Sequence, residues 1–421
     1  MRRKRLCNNT TIILLIVLIL NMIAVTGCST YDNFSEAFLR EEVVDDNTVR
    51  IGIFEPLTGN EKEGGKLELM GIELAHKLYP TVLGKEIEMI YADNKSEIAL
   101  AESAAQKLID KKVDVILGSY GNTLSLAGGE YFHNARIPAI AITGTNPLVT
   151  KGNPYYFRIS IVDSFQGVMA AKYVHDELGL SEATILKQAG NDYGAALSQE
   201  FSDKLTSLSG KENPIIATIE YHADTTDYEK ELTRVKTSGA KVVYLPCSAE
   251  EGAEIIKQAD KLNVNALFIG TDLWHDDVFI EEGGTAVEGV VFTTYFDAES
   301  TVTEKTEEFL AAYRAEYGEE EVPDSATALG FDAYLLALDA VERQAELLEL
   351  AKQDPEGVKN NTLRDVIAST REYIGATGSV SFDEHGDPIK PVVMITVKAG
   401  EFEHEYTVQP EWTLSEEPTE S

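Results

Sequence analysis

Short runs rich in β-branched residues alternate with helical patterns through most of this chain. The strand candidates are residues 49–54, 87–92, 113–117, 137–142, 183–186, 215–219, 242–245 and 266–269, with helix patterns between them. Parallel strands need a long crossover, which a helix supplies, so the alternation predicts βαβ units and parallel sheets. Each half of this region reads as βαβαβ, which gives an α/β fold of two doubly wound parallel-sheet lobes. With 421 residues, 43% of them hydrophobic, the chain can bury more than one core. In the first helix Leu67, Met70, Leu74, Ala75 and Leu78 form one stripe, and Gly71 lies in it, allowing close approach to a sheet. From residue 290 the order changes. A strand at 290–296 precedes helices at 303–317, 325–344 and 362–370, and three strands joined by Gly and Asp turns predict an antiparallel finish.

The two ends read differently. Arg2, Arg3, Lys4 and Arg5 precede an apolar run over residues 12–20 and then Val25-Thr26-Gly27-Cys28, the layout of an export signal. The run is shorter than the ~20 residues that span a bilayer, so a cleaved signal is favoured over a permanent anchor. Its last four residues resemble the bacterial lipobox, which implies a lipid on Cys28 and a mature chain anchored outside the cytoplasm. Residues 28–47 read as a polar tether and 409–421 as a loose tail. Cys7 leaves with the signal and Cys247 is left alone, so no disulfide framework is expected. The formal charge is −35, and removing the signal makes it more negative. Such a surface repels phosphate backbones and argues against nucleic-acid binding.

In open parallel sheets ligands bind beyond the carboxyl ends of the strands. That rule selects the loops 56–65, 119–125, 143–146, 191–193, 247–250 and 271–274. The first looks like a phosphate cradle but fails the motif: Asn60 stands where a Walker loop needs glycine, and Leu67 follows Lys66. Asn122 and Thr123 open a helix whose free N–H groups suit a carboxylate, or serve as its plain cap. Thr143 and Thr145 offer hydroxyls after another strand, or ordinary turn chemistry before Pro147. Asp272 follows a strand directly, so its carboxylate would point into the crevice, where it could neutralise an ammonium group. Tyr193 and Trp274 are candidate pocket walls, though single aromatics are more often core. His275, Asp276 and Asp277 supply too few oxygens for a hard metal and read as an exposed turn or helix start. No histidine is spaced with an acid and a nucleophile, so the loops form a recognition set with no catalytic group, cofactor or metal.

Nine segments in order resemble a known family: "PLTG", "YADNKSEIALAESAAQKLI", "VDVILGSYGNTLS", "IPAIAITGTNP", "YYFRISIVDSFQG", "NDYG", "GTDLW", "GFDAYLLALDAV" and "TGSVSFDEHGD". They resemble the type I periplasmic binding proteins, in the Leu/Ile/Val-binding group of ABC-transporter receptors, over nearly all of residues 49–408. The resemblance implies lobe 1 from 48–162 with 297–375, lobe 2 from 163–296 with 376–408, and three hinge crossings near 162, 296 and 375. It implies that Asn122 and Thr123 hold a ligand's carboxylate, that Thr143 and Thr145 form the second loop, that Tyr193 faces them from the other lobe, and that Asp272 takes the α-ammonium. The implied partner is a membrane permease driven by ATPases, and the implied ligand an amino acid, branched-chain-like. An amide or aromatic acid, or a sensor lipoprotein serving a signalling partner, are the alternatives. Gly64 stands where many members carry an aromatic, and Cys247-Ser248 where some do, which implies a pocket of different shape.

Overall fold

The computed structural model describes residues 47–354, 358 and 360–410. The signal, Cys28, nearly all of the tether and most of the tail lie outside the described residues.

The first sheet contains β1 (Thr48–Glu55), β2 (Thr81–Val82), β3 (Lys85–Asp93), β4 (Val115–Leu117), β5 (Ala139–Ala141) and β6 (Tyr156–Arg158), in the order β2-β3-β1-β4-β5-β6. β1, β4, β5 and β6 pair in parallel, with Ile51 opposite Val115 and Ile116 opposite Ala139. Helices α1 (Lys62–Leu78), α2 (Ile98–Asp110) and α3 (Asn122–Ala135) make the crossovers. Ile51, Ile53, Val115, Ile116 and Leu117 have no exposed surface, as expected for parallel strands covered on both faces.

The second sheet repeats the plan with β7 (Ala183–Gln188), β8 (Ile215–Tyr221), β9 (Val242–Tyr244), β10 (Leu267–Gly270) and β11 (Val291–Thr294). The helices are α4 (Asp163–Lys172), α5 (Asp192–Ser209), α6 (Glu229–Ser238), α7 (Ala249–Lys261) and α8 (Asp277–Gly283). The chain then returns to the first sheet through α9 (Glu304–Tyr317), α10 (Ser325–Gln353) and α11 (Leu363–Ala368). Phe309, Phe331 and Leu336 there share a core with Ile51 and Val115. A small antiparallel sheet follows, made of β12 (Tyr373–Gly375), β13 (Gly378–Phe382) and β14 (Pro388–Ile389). Finally β15 (Val392–Lys398) and β16 (Glu401–Val408) join the second sheet antiparallel, giving the order β16-β15-β11-β10-β9-β7-β8. The chain therefore passes between the sheets three times. The resemblance puts the third passage near residue 375. Ala376, Val380 and Phe382 still pack in the first sheet's core, and the chain enters the second sheet at Val392.

Three local expectations change. The buried face of α1 is Glu68, Gly71, Ile72, Leu74 and Ala75, whereas Leu78 is 42% exposed, so the face is rotated from the apolar stripe by a buried glutamate. Gly71 approaches a helix, not a sheet. A Cβ there would strike the Thr327 carbonyl of α10, and one at Gly330 would strike the Glu68 carbonyl, so the two glycines let α1 and α10 touch backbone to backbone. Helix α10 also runs nine residues beyond its expected end at 344, because its last turns are Ala, Leu, Glu and Lys, all good helix formers.

Candidate functional site

The carboxyl ends of both sheets face a cleft of about 440 Å³. Tyr120 enters it from the loop after β4, and Thr143 and Thr145 from the loop after β5. Asp163 and Tyr193 come from the first turns of α4 and α5, Asp272 follows β10, Tyr295 follows β11, and Asp324 caps α10. No lysine or arginine is among its lining residues.

One wall is a hydrogen-bond network centred on Gln166 of α4, which is fully buried. Its Nε2 donates to Asp272 Oδ1 at 2.8 Å and to the Tyr295 hydroxyl at 2.9 Å. Its Oε1 accepts from the Asp272 N–H at 3.1 Å and the Thr293 hydroxyl at 2.5 Å. The Tyr193 hydroxyl donates to Asp272 Oδ1 at 3.1 Å, and the Tyr295 hydroxyl lies 3.3 Å from Asp163 Oδ1. The Asp272 carboxylate is thus held at Oδ1 by Gln166 and Tyr193, and its own N–H is tied to the same Gln166. Burial pushes its pKa up, and the donors from Gln166, Tyr295 and Tyr193 partly offset this. Asp163 is pushed up to about 6, first by burial and then by the charge of Asp272. Two buried carboxyl groups side by side, the charge of one raising the other, with no lysine or arginine on the lining, make a site short of one positive charge.

The opposite wall is built on buried side chains. Arg158 has no exposed surface and pairs with Asp387 at 2.6 Å. It donates to the Gly144 carbonyl at 2.7 Å and the Asn146 carbonyl at 2.8 Å, so the loop carrying Thr143 and Thr145 is clamped from below. The Asn122 side chain serves the same loop: its Oδ1 accepts from the Asn146 N–H at 2.8 Å. Residue 121, the N-cap of α3, is a glycine, so no side chain satisfies the first-turn amides from that position.

Of the residues singled out from sequence, Thr143, Thr145, Tyr193 and Asp272 meet in this cleft. Asn122 and Thr123 are not among its lining residues; Asn122 is engaged with Asn146, and Thr123 is exposed on the first turn of α3. Trp274 is no pocket wall: it is fully buried and stacks on Phe279 at 4.7 Å. Cys247 is core, and Ser248 caps α7 by accepting from the Glu251 N–H. Asp276 caps α8, and among the described residues no group of His, Cys, Asp and Glu is placed to hold a metal ion. The loop reading missed Asp163, Gln166, Tyr295 and Asp324. Asp163 and Gln166 lie in "DSFQG", just after the passage between sheets, where a rule about strand ends does not look.

A family model described as periplasmic binding protein matches residues 48–401. Leu/Ile/Val-binding protein homolog 2 of Brucella abortus is 24% identical over 361 residues, covering 84% of this chain and 91% of that one. Among solved structures, a leucine binding protein, LivK, of Thermotoga maritima superposes with a TM-score of 0.64 at 30% identity, covering 86% of this chain and 99% of that one. The branched-chain amino acid transporter substrate binding protein LivJ of Streptococcus pneumoniae, solved with isoleucine, gives 0.63 at 27% identity, covering 86% and 100%.

Proposed function

Because the chain belongs to the periplasmic binding protein family, it is a solute-binding protein and not an enzyme, and we propose that it is the extracytoplasmic receptor of an ABC importer for an amino acid. The observation that carries the ligand class is Asp272, oriented by Gln166 and Tyr193 beside Asp163 in a cleft whose lining has no lysine or arginine. An α-ammonium group supplies the missing charge and takes up acceptors that nothing else on that wall neutralises. The carboxylate end goes to the start of α3 next to Tyr120, where the glycine at 121 leaves the first-turn N–H groups without a side-chain cap; the Asn122 side chain, engaged with Asn146, takes no part. Leu67 and Leu329 on the lining give an apolar side chain a surface, which supports a branched-chain-like ligand.

The two sheets close on the ligand about the three passages of the chain, and the closed form docks on a membrane permease. Lipid on Cys28 keeps the receptor beside that permease. Mass spectrometry of native protein tests the anchor, since an unmodified N-terminus or a retained Met1 segment rejects it. A thermal-shift screen of the purified mature chain against amino acids, their amides and aromatic acids tests the ligand class. A true ligand at ~100 times its Kd adds ~2.7 kcal/mol of stability. Stabilisation only by compounds without a positive group would overturn the amino-acid reading.

A further inference from the structure

Beneath the cleft lie two glutamates with no exposed surface, Glu55 at the end of β1 and Glu68 in α1. Each holds one part of the cleft wall. Glu55 Oε2 accepts from the Tyr120 N–H at 2.8 Å, and Glu68 Oε1 accepts from the Thr143 hydroxyl. The remaining oxygens, Glu55 Oε1 and Glu68 Oε2, are buried with no donor among the described residues, and the two carboxyl groups lie close enough to act directly on each other's titration. The titratable groups that face the pair are Asp324 at the start of α10, Tyr120, and Tyr156 of β6. None of them can supply a positive charge.

Two bare carboxylates in contact, fully buried and without a cation, would repel each other in a medium that already disfavours either charge. One proton between them removes the conflict. A carboxyl O–H then donates to the neighbouring carboxylate, and the two outer oxygens stay free to accept from Tyr120 and Thr143. We propose that Glu55 and Glu68 share a single proton and that this pair is the positioning element that holds Tyr120 and Thr143 in the ligand cleft. The direction of their titration agrees: burial raises both, Glu68 to about 7 and Glu55 well above its ordinary value.

One consequence concerns orientation, and it rests on the cleft being the amino-acid site. The only hydroxyl proton of Thr143 goes to Glu68, and its oxygen already accepts from the Gly121 N–H at 3.2 Å. What remains is an acceptor, so Thr143 faces the ammonium side of a ligand and not its carboxylate.

The test begins on the ligand-free mature protein. At about pH 8, where ordinary carboxyl groups are ionised, infrared spectra should show the C=O stretch of one buried protonated carboxyl. That band should vanish in both Glu55→Gln and Glu68→Gln, where an amide N–H replaces the shared proton. Hydrogen exchange of the segment containing the Tyr120 amide should stay slow in Glu55→Gln, which keeps the acceptor, and become at least ~tenfold faster in Glu55→Ala. No band in the wild type, a band that persists in both Gln variants, or unchanged exchange in Glu55→Ala would each overturn the proposal. Calorimetry with L-leucine separates this from the ligand reading: a protein with both signatures that binds no amino acid upholds the pair and overturns the ligand assignment.

Discussion

Tyr120 fills the space beside Gly64, where a Cβ would fall on the tyrosine ring. The aromatic surface that the resemblance places at position 64 is therefore offered from the neighbouring strand-end loop, and the ring lines the cleft. Tyr120→Gly should weaken the best ligand of the screen by about 1–2 kcal/mol, roughly five- to thirtyfold in Kd. Gly64→Tyr alone should also weaken it by displacing Tyr120, and the double variant should recover part of the loss. Calorimetry on the four proteins closes the cycle. Unchanged affinity in both single variants would place the ring outside the contact surface.

Asp272 should matter most for binding. Its carboxylate is oriented by Gln166 and Tyr193, so removing it leaves a desolvated ammonium with no counter-charge. Asp272→Ala should weaken an amino acid by two orders of magnitude or more, on the order of 2–5 kcal/mol, with circular dichroism unchanged. Equal affinity in wild type and variant, by calorimetry, would make Asp272 a turn residue.

The strands legible in the sequence were those with apolar runs covered on both faces; β1, β7 and β9 are examples. β6 was missed. It is three residues long and contains an arginine, and its burial depends on Asp387, more than two hundred positions away. Glu68 was illegible for the same reason, since its place on the buried face of α1 is set by Glu55 and Thr143 across the fold. In the cleft, Asp272 and Tyr193 could be read because each lies where a parallel strand ends. Gln166 and Asp163 could not, because they sit on a helix whose first turn reaches the cleft only after the chain has changed sheets. Asn122 shows the limit of reading a helix start as a site: the residue type was right for an anion, but its side chain is committed to the Asn146 N–H.

A buried lysine marks the last passage between the sheets. Lys390 is 1% exposed, and its Nζ donates to Thr377 Oγ1 at 2.5 Å, which in turn donates to Asp332 Oδ2 at 2.5 Å. Burial lowers the Lys390 pKa from 10.5 to about 8, with Asp332 partly offsetting it. A depressed folded value means that this group's contribution to stability is fully present above 10.5 and is lost as pH falls through about 8. Urea unfolding should therefore show wild type gaining about 1–3 kcal/mol relative to Lys390→Met as pH rises across that window. A difference between the two proteins that does not change with pH would mean that Lys390 titrates normally.

Asp163 links the stability of the empty receptor to ligand binding. Its carboxyl is raised from 3.8 to about 6 by burial and then by Asp272, and hydrogen bonds from Thr145 and Tyr295 reduce the shift. With the folded value above the unfolded one, its contribution to stability is complete below 3.8 and is lost as pH rises through about 6. At neutral pH the ligand-free protein thus holds an ionised Asp163 at a cost on the order of 1–3 kcal/mol. Asp163→Asn should remove that cost, so the empty variant should be more stable than wild type at neutral pH and should lose the advantage near pH 4. An ammonium group entering the cleft favours the ionised carboxyl and draws its pKa down, so binding near pH 6 should release protons, and affinity should fall as the solution is made more acid. Calorimetry in two buffers of different ionisation heat measures that release directly. If binding takes up protons, or if Asp163→Asn is less stable than wild type at neutral pH, Asp163 is not the carboxyl that an incoming cation relieves.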